Sequence, residues 1–241
     1  MDFEFAGKLN GKQKAIGFIL LIPTYLFITP IFVEAGLYFF VKYVHTLDYY
    51  TLNVFLNFFS TLISLLFALV LFKDFLIENI KRFKEKLFNN IIWSATAGIG
   101  IMYLISYISN IVITLILGNS DTASNQLLFE SLIEKNFIFM ALQAIFFAPV
   151  VEELIFRGLI FRSLRGYNMY LAHFVSAFLF GFIHIYQGLL AGDFTQLLYL
   201  LSYGGMGFAF SLAYEKKKTI CVPIIVHFLN NLIATIIVYM M

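Results

Sequence analysis

The stretch Phe137–Ile160, FIFMALQAIFFAPVVEELIFRGLI, decides the fold, because it is long and apolar enough to cross a bilayer yet has ionisable side chains near its centre. About 20 apolar residues span the hydrocarbon core of a membrane. The ionisable residues here are Glu152, Glu153 and Arg157. Charged groups at this depth are costly and by default indicate a functional site. The stretch therefore predicts a transmembrane helix that contributes to an active or binding site.

The composition predicts a membrane protein. Hydrophobic residues make up 61% of the chain and charged residues 12%, against about 45–50% and about 25% in soluble domains. The formal net charge of +2 gives no indication of nucleic-acid binding, because the basic residues are confined to short loops. The single cysteine, Cys221, excludes a disulfide framework within one chain and a cysteine-rich zinc site.

Hydropathy divides the chain into seven apolar segments and predicts an all-α, polytopic helix bundle. The segments are 15–41, 51–72, 91–117, 137–160, 168–186, 196–214 and 220–241. We expect residues 1–90 to form an N-terminal region with two transmembrane helices and a connector. Residues 91–241 are expected to form the membrane-embedded catalytic core.

The connector 73–90 repeats apolar residues at helical spacing among five bases, which predicts an amphipathic helix on the inner membrane surface. These apolar residues are Phe75, Leu76, Ile80, Phe83 and Leu87. A solvated connector is the alternative. Residues 118–136 are predicted to form the longest outer loop, with a short interfacial helix at Leu127–Ile133.

The basic residues predict the orientation of the chain in the membrane. Apart from Lys42 and Lys135, every basic residue in a loop or tail falls on the same side of the seven segments. By the positive-inside rule, the N-terminus is cytoplasmic and the C-terminus external. We therefore expect a multi-pass protein of the cell membrane.

Four polar side chains on three of the segments are predicted to lie at one depth. At about 1.5 Å of rise per residue, the residues Glu152, His184, His227 and Asn231 fall in one layer. His227 and Asn231 are four residues apart and share a helix face, as do Glu153 and Arg157, which can pair. Phe180 shares a face with His184 and is expected to wall the site. The remaining candidate, His173, lies closer to the inner end and is predicted to be an interfacial or packing residue.

Three motifs on separate segments give the chain a family resemblance. Glu-Glu-x-x-x-Arg at 152–157, Phe-x-x-x-His at 180–184 and His-x-x-x-Asn at 227–231 resemble, in this order, the CPBP family. This family includes CAAX-processing proteases and the bacterial bacteriocin-processing or self-immunity (Abi) proteins. The resemblance covers about the last hundred residues.

The resemblance implies an intramembrane glutamic protease with a role for each matching residue. Glu152 would activate water and His184 would assist it, while His227 and Asn231 would form the oxyanion hole. Glu153 and Arg157 would have structural roles. The chemistry of the residues agrees, since peptide hydrolysis needs a base, an oxyanion stabiliser and a proton donor. No cofactor is expected. A zinc site built from Glu152, Glu153, His184 and His227 is the alternative.

The expected partners are a lipid bilayer and a peptide or membrane-protein substrate. The sequence leaves the oligomeric state and the substrate open, although a peptide pheromone, a bacteriocin precursor or a membrane-anchored protein is favoured over a prenylated one. A non-proteolytic immunity protein or regulatory scaffold is the alternative function. Since the inner ends of the helices are basic, we expect the site to open toward the cytoplasm and to cut near that boundary.

Overall fold

A computed structural model describes residues 4–43, 48–118 and 123–240, and over these ranges every regular element is helical. Seven helices are long and apolar enough to cross a membrane, which confirms the predicted all-α polytopic bundle and makes the chain a multi-pass membrane protein. Two shorter helices follow the second and third of them. In chain order the helices are α1 (Gly11–Tyr43), α2 (Tyr49–Leu71), α3 (Lys73–Glu85), α4 (Leu87–Leu117), α5 (Ser124–Lys135), α6 (Phe137–Arg165), α7 (Met169–Leu190), α8 (Gln196–Lys217) and α9 (Cys221–Met240).

Helix α3 is the predicted amphipathic connector, with one difference in its buried face. Phe75 and Phe83 are buried as expected, but Ile80 is exposed and Asn79 is buried between them. Asn79 is tolerated there because its side chain bonds to backbone groups of two other segments, the carbonyl of Ala6 and the N–H of Ile220. The helix ends at Glu85, and α4 begins at Leu87. Its position on the membrane surface stays a prediction.

The short helix predicted at Leu127–Ile133 is confirmed as α5 and extends over Ser124–Lys135. Leu132 and Ile133 anchor it, because both side chains are buried against α2 and α6 in a small apolar cluster. Residues 119–122 of the predicted outer loop lie outside the described residues.

Helix α6, which carries the two glutamates, contains a π-helical turn over Leu142–Phe147 just before Pro149. The N–H of Ala148 bonds to the carbonyl of Gln143 five residues back. The next residue is proline and has no N–H to continue this pattern. The carbonyl of Ala144 is therefore left to an outside donor. Such π-turns are frequent at functional sites.

Helices α7 and α8 pack closely through glycines. A Cβ on Gly181 would lie 2.7 Å from the backbone nitrogen of Gly204, and one on Gly207 would lie 3.1 Å from the Cα of Ala177. Small residues at such crossings let two membrane helices approach backbone to backbone. The close approach also brings the backbone carbonyl of Gly207 to the side of α6.

The inner end of the bundle is filled with side chains. Every residue of α6 from Val151 to Phe161 is buried. The ring of Phe5 packs edge-on against Tyr214 and Phe161, and Arg162 donates to the carbonyl of Gly7. Side chains thus fill the bundle beneath the basic ends, and the predicted opening toward the cytoplasm stays a prediction. The half-buried site residue His184 lies nearer the opposite end of its helix, and Asn231 lies at the middle of α9.

Candidate active site

Glu153 and Arg157 form the predicted ion pair, and both side chains are fully buried. Arg157 Nη1 donates to Glu153 Oε1 at 3.0 Å, one helical turn away. Arg157 Nη2 donates to the carbonyl of Gly207 at 2.6 Å. The pair thus fastens α6 to the glycine crossing of α7 and α8.

Aromatic rings shield the guanidinium of Arg157 from the membrane interior. Its central carbon lies 4.7 Å from the ring centroid of Phe180 and 5.1 Å from that of Phe210. A cation over an aromatic face gains most where water is excluded. Phe180, predicted to wall the site, therefore also supports the arginine that orients Glu153.

His227 lies between the two glutamates. Its Nδ1 is 3.1 Å from Glu153 Oε1 and its Nε2 is 3.9 Å from Glu152 Oε2. Since a carboxylate accepts, the contact with Glu153 assigns the proton to Nδ1 and leaves Nε2 facing Glu152. The ring stacks on Phe210 at a centroid distance of 4.6 Å. Helices α6 and α9 thus bring a histidine and both acids together.

Glu152 is 5% exposed, and each of its carboxylate oxygens has a different environment. Oε1 accepts a hydrogen bond of 2.6 Å from the Tyr25 hydroxyl of α1. Oε2 is buried, and among the described residues it has no hydrogen-bond partner. A buried carboxylate oxygen without a donor is costly in a fold and is typical of groups kept for a ligand or a reaction.

His184 lies on the other side of Phe180 from Arg157. Its Nδ1 donates to the carbonyl of Phe180 at 2.8 Å, which leaves Nε2 as the available nitrogen. The ring stacks on Tyr203, with centroids 4.7 Å apart. Phe180 contacts the rings of both His184 and His227, so the two histidines flank one aromatic side chain.

Asn231 lies one turn beyond His227 on the same face of α9, as predicted from the sequence. Its amide donates to the carbonyl of Ala144 at 2.8 Å, which is the carbonyl that Pro149 leaves without an N–H. Asn230 in turn donates to Asn231 Oδ1 at 3.0 Å. In this conformation the Asn231 amide supports the π-turn of α6, and its predicted oxyanion role stays a prediction.

His173 is a packing residue in the structure, as expected. It is 6% exposed, its Nδ1 lies 2.6 Å from Ser211 Oγ, and its ring packs against Phe161 and Phe208. Its polar partner is on α8, on the inner side of the bundle. It therefore takes no part in the cluster around Glu152.

The described residues do not include a group of three or more His, Cys, Asp or Glu side chains arranged to hold a metal ion. Within the proposed zinc set, Glu153 is engaged by Arg157 and by His227 Nδ1. Glu153 is thus the member of that set that is already engaged, and the expectation that no cofactor is needed stays a prediction.

Tyr25 was missed by the sequence reasoning. It lies in the N-terminal region, on a helix without a motif, and tyrosine is common in membrane helices. Pro23 and Pro30 flank it in α1, but they give no indication of its partner.

Comparisons with known proteins agree on one family. A family model described as type II CAAX prenyl endopeptidase Rce1-like matches residues 134–233, a range that contains all three motifs. The chain is 37% identical over 84 residues to the putative membrane peptidase YdiL of Bacillus subtilis, which covers 34% of this chain and 30% of that protein. It is 31% identical over 144 residues to the membrane-embedded CAAX protease MroQ of Staphylococcus aureus, covering 57% of this chain and 54% of the relative.

Over residues 134–233 the chain is similar to the CPBP family. The matched part is the region in which Glu152, Glu153, Arg157, His184, His227 and Asn231 are found. The alignments span about half or less of each relative's length. No solved structure matches the chain significantly. The similarity to the CPBP family therefore rests on the C-terminal core, and α1, with Tyr25, lies outside the matched region.

Proposed function

We propose that this protein is an intramembrane endopeptidase that cleaves peptide or membrane-anchored substrates with water activated by Glu152. One observation carries the proposal. Glu152 Oε2 is buried, has no hydrogen-bond partner among the described residues, and lies 3.9 Å from His227 Nε2. Both atoms are acceptors when His227 is neutral. A water about 2.8 Å from each would donate one hydrogen to each. Such a water is oriented for deprotonation.

The other side chains supply the remaining steps of peptide hydrolysis. Glu152 takes the proton of the attacking water, and the tetrahedral oxyanion needs donors about 3 Å away. His227 donates from Nε2 once that nitrogen is protonated, while Glu153 accepts from its Nδ1. Asn231 adds its amide after rotating away from Ala144. His184 presents Nε2 to the site and, with Glu152, returns a proton to the leaving amine.

No cofactor is needed for this mechanism. We expect protein purified and stripped with a chelator to keep its activity. Loss of activity on chelation with recovery on adding zinc would favour a metalloprotease instead. The family names support peptide substrates in general, and peptide pheromones, bacteriocin precursors and membrane-anchored proteins are the classes we propose.

The test uses purified protein in detergent with a library of internally quenched peptides that carry apolar segments. The variant Glu152→Gln keeps the size of the side chain and removes the base, so cleavage should stop while the protein remains folded. Glu78→Gln, on the exposed face of α3, is the matched control. Function that survives in Glu152→Gln cells would favour the non-proteolytic immunity or scaffold role.

A further inference from the structure

The first membrane helix contributes to the site through one side chain. The Tyr25 hydroxyl donates to Glu152 Oε1 at 2.6 Å, although Tyr25 lies 127 residues earlier in the chain and outside the matched region 134–233. We propose that Tyr25 is a positioning residue that fixes the Glu152 carboxylate and leaves Oε2 as the oxygen that activates water. This inference rests on the proposed peptidase function.

The backbone of α1 is shaped to bring Tyr25 to this place. Two π-helical turns, Gly17–Leu21 and Thr24–Ile28, surround Pro23 and change the direction in which the following side chains point. Thr29 Oγ1 donates to the carbonyl of Thr24 and lies 3.2 Å from Ser64 Oγ of α2. The turn that carries Tyr25 is thus held from both sides.

A second contact between α1 and α6 fixes their register. A Cβ on Gly17 would lie 2.7 Å from Leu159 Cδ2, so the two helices touch closely at this point. Gly17 is eight residues before Tyr25, and Leu159 is seven residues after Glu152. At about 1.5 Å of rise per residue, the two separations along the helices are nearly equal. Antiparallel helices that touch at Gly17 and Leu159 are therefore also in register at Tyr25 and Glu152. The hydrogen bond is therefore part of a continuous interface.

The hydrogen bond restricts the geometry of Glu152. It removes rotational freedom from a side chain that must hold its water in one position. Around the carboxylate lie His227 of α9, His184 of α7, and Glu153 and Arg157 of its own helix. The hydrogen bond to Glu152 Oε1 comes from the Tyr25 hydroxyl of α1.

The test is Tyr25→Phe, which keeps the ring and removes the hydroxyl. With the most readily cut peptide of the library, we expect kcat to fall roughly 10- to 100-fold, the equivalent of one hydrogen bond to a charged group, while KM stays within about twofold. Tyr38→Phe, an exposed tyrosine of the same helix, should change neither quantity.

A second variant covers the case in which Tyr25→Phe does not fold. Gly17→Val keeps every site residue but pushes α1 away from Leu159, so it should also lower kcat while KM stays within about twofold. Unchanged kcat in folded Tyr25→Phe would overturn the positioning role. The peptidase proposal would still stand after such a result for Tyr25→Phe, provided that Glu152→Gln is inactive in the same assay. Activity of Glu152→Gln equal to the native level would instead remove the peptidase proposal itself.

Discussion

Arg157 is a cation with no exposed surface, and the carboxylate of Glu153 compensates its buried charge. Removing one partner of a buried pair leaves an uncompensated charge and typically costs about 3–5 kcal/mol. We therefore expect Arg157→Met to lower the free energy of unfolding by about that amount. The measurement is thermal or denaturant unfolding in detergent, followed by intrinsic fluorescence.

The double variant Glu153→Gln/Arg157→Met separates charge from packing. It removes both charges, and replacing a whole buried pair is often nearly neutral. We expect most of the lost stability to return, while activity stays low because His227 has lost the carboxylate on its Nδ1. Native stability in the single variant Arg157→Met would contradict this account of the pair.

Asn231 is predicted to have both a structural and a chemical role. Asn231→Ala leaves the Ala144 carbonyl without its donor, which should cost about 1–3 kcal/mol of stability. Loss of one oxyanion donor should in addition reduce kcat by about 10²–10³-fold. Asn230→Ala is the neighbouring control, and its effect on kcat should be much smaller. A loss of stability without a loss of kcat would show that Asn231 only supports the π-turn.

Among residues, spacing in the sequence predicted side-chain contacts within one helix. It did not predict contacts between side chains on different helices. Glu153 and Arg157 could be paired from their separation of four. Pro149 could have indicated a carbonyl in need of a donor, since proline always removes one N–H. Nothing in the sequence indicates that Asn231 supplies that donor or that Tyr25 reaches Glu152, because both contacts depend on how α1, α6 and α9 pack.

Among the elements, α3 is attached to other segments through one buried side chain, Asn79. Asn79 is fully buried and joins three segments, through the carbonyl of Ala6, the carbonyl of Phe75 and the N–H of Ile220. Asn79→Ala should lower the free energy of unfolding by about 2–4 kcal/mol, because several buried backbone groups lose their partner. The same unfolding assay measures this change.

Glu78→Ala is the matched control for Asn79→Ala, since Glu78 is the adjacent, exposed residue of α3. It should change stability by less than about 0.5 kcal/mol. Equal effects of the two substitutions would contradict the role given to Asn79. The helix itself was predictable from its spacing of apolar residues. The burial of Asn79 beside the exposed Ile80 was not predictable, because Asn79 is satisfied by distant backbone groups.

For the whole molecule, the basic loops predict that α3 is cytoplasmic and that the α7–α8 turn is external. In a background without Cys221, an impermeant thiol reagent added to intact cells should label Phe194→Cys and should not label Lys84→Cys. Both positions are exposed. Asp193 is left in place, since the Thr195 hydroxyl and the Gln196 amide donate to it and hold its pKa below the usual range. The reverse labelling pattern would overturn the orientation.

The seven spans were predictable because each one satisfies its own backbone within an apolar segment. The packing beneath the basic ends of the helices could not be predicted, because the residues that form it are far apart in the sequence. Phe5, Phe161 and Tyr214 come from three different segments, and each is unremarkable in an apolar chain. The basic charges around them indicate a side of the membrane, but give no information on how tightly the side chains beneath them pack.

The hydrogen bond from the Ala6 N–H to the Lys218 carbonyl has a consequence for biosynthesis. A ribosome adds about 5–20 residues per second, so on the order of 10–40 s separate the synthesis of these two positions. During that time Ala6 and Asn79 lack their partners Lys218 and Ile220, which lie in the turn between α8 and α9. The N-terminal segment therefore reaches its assembled form only after this turn has been made. A chain that stalls earlier keeps these polar groups available to membrane chaperones and quality-control proteases.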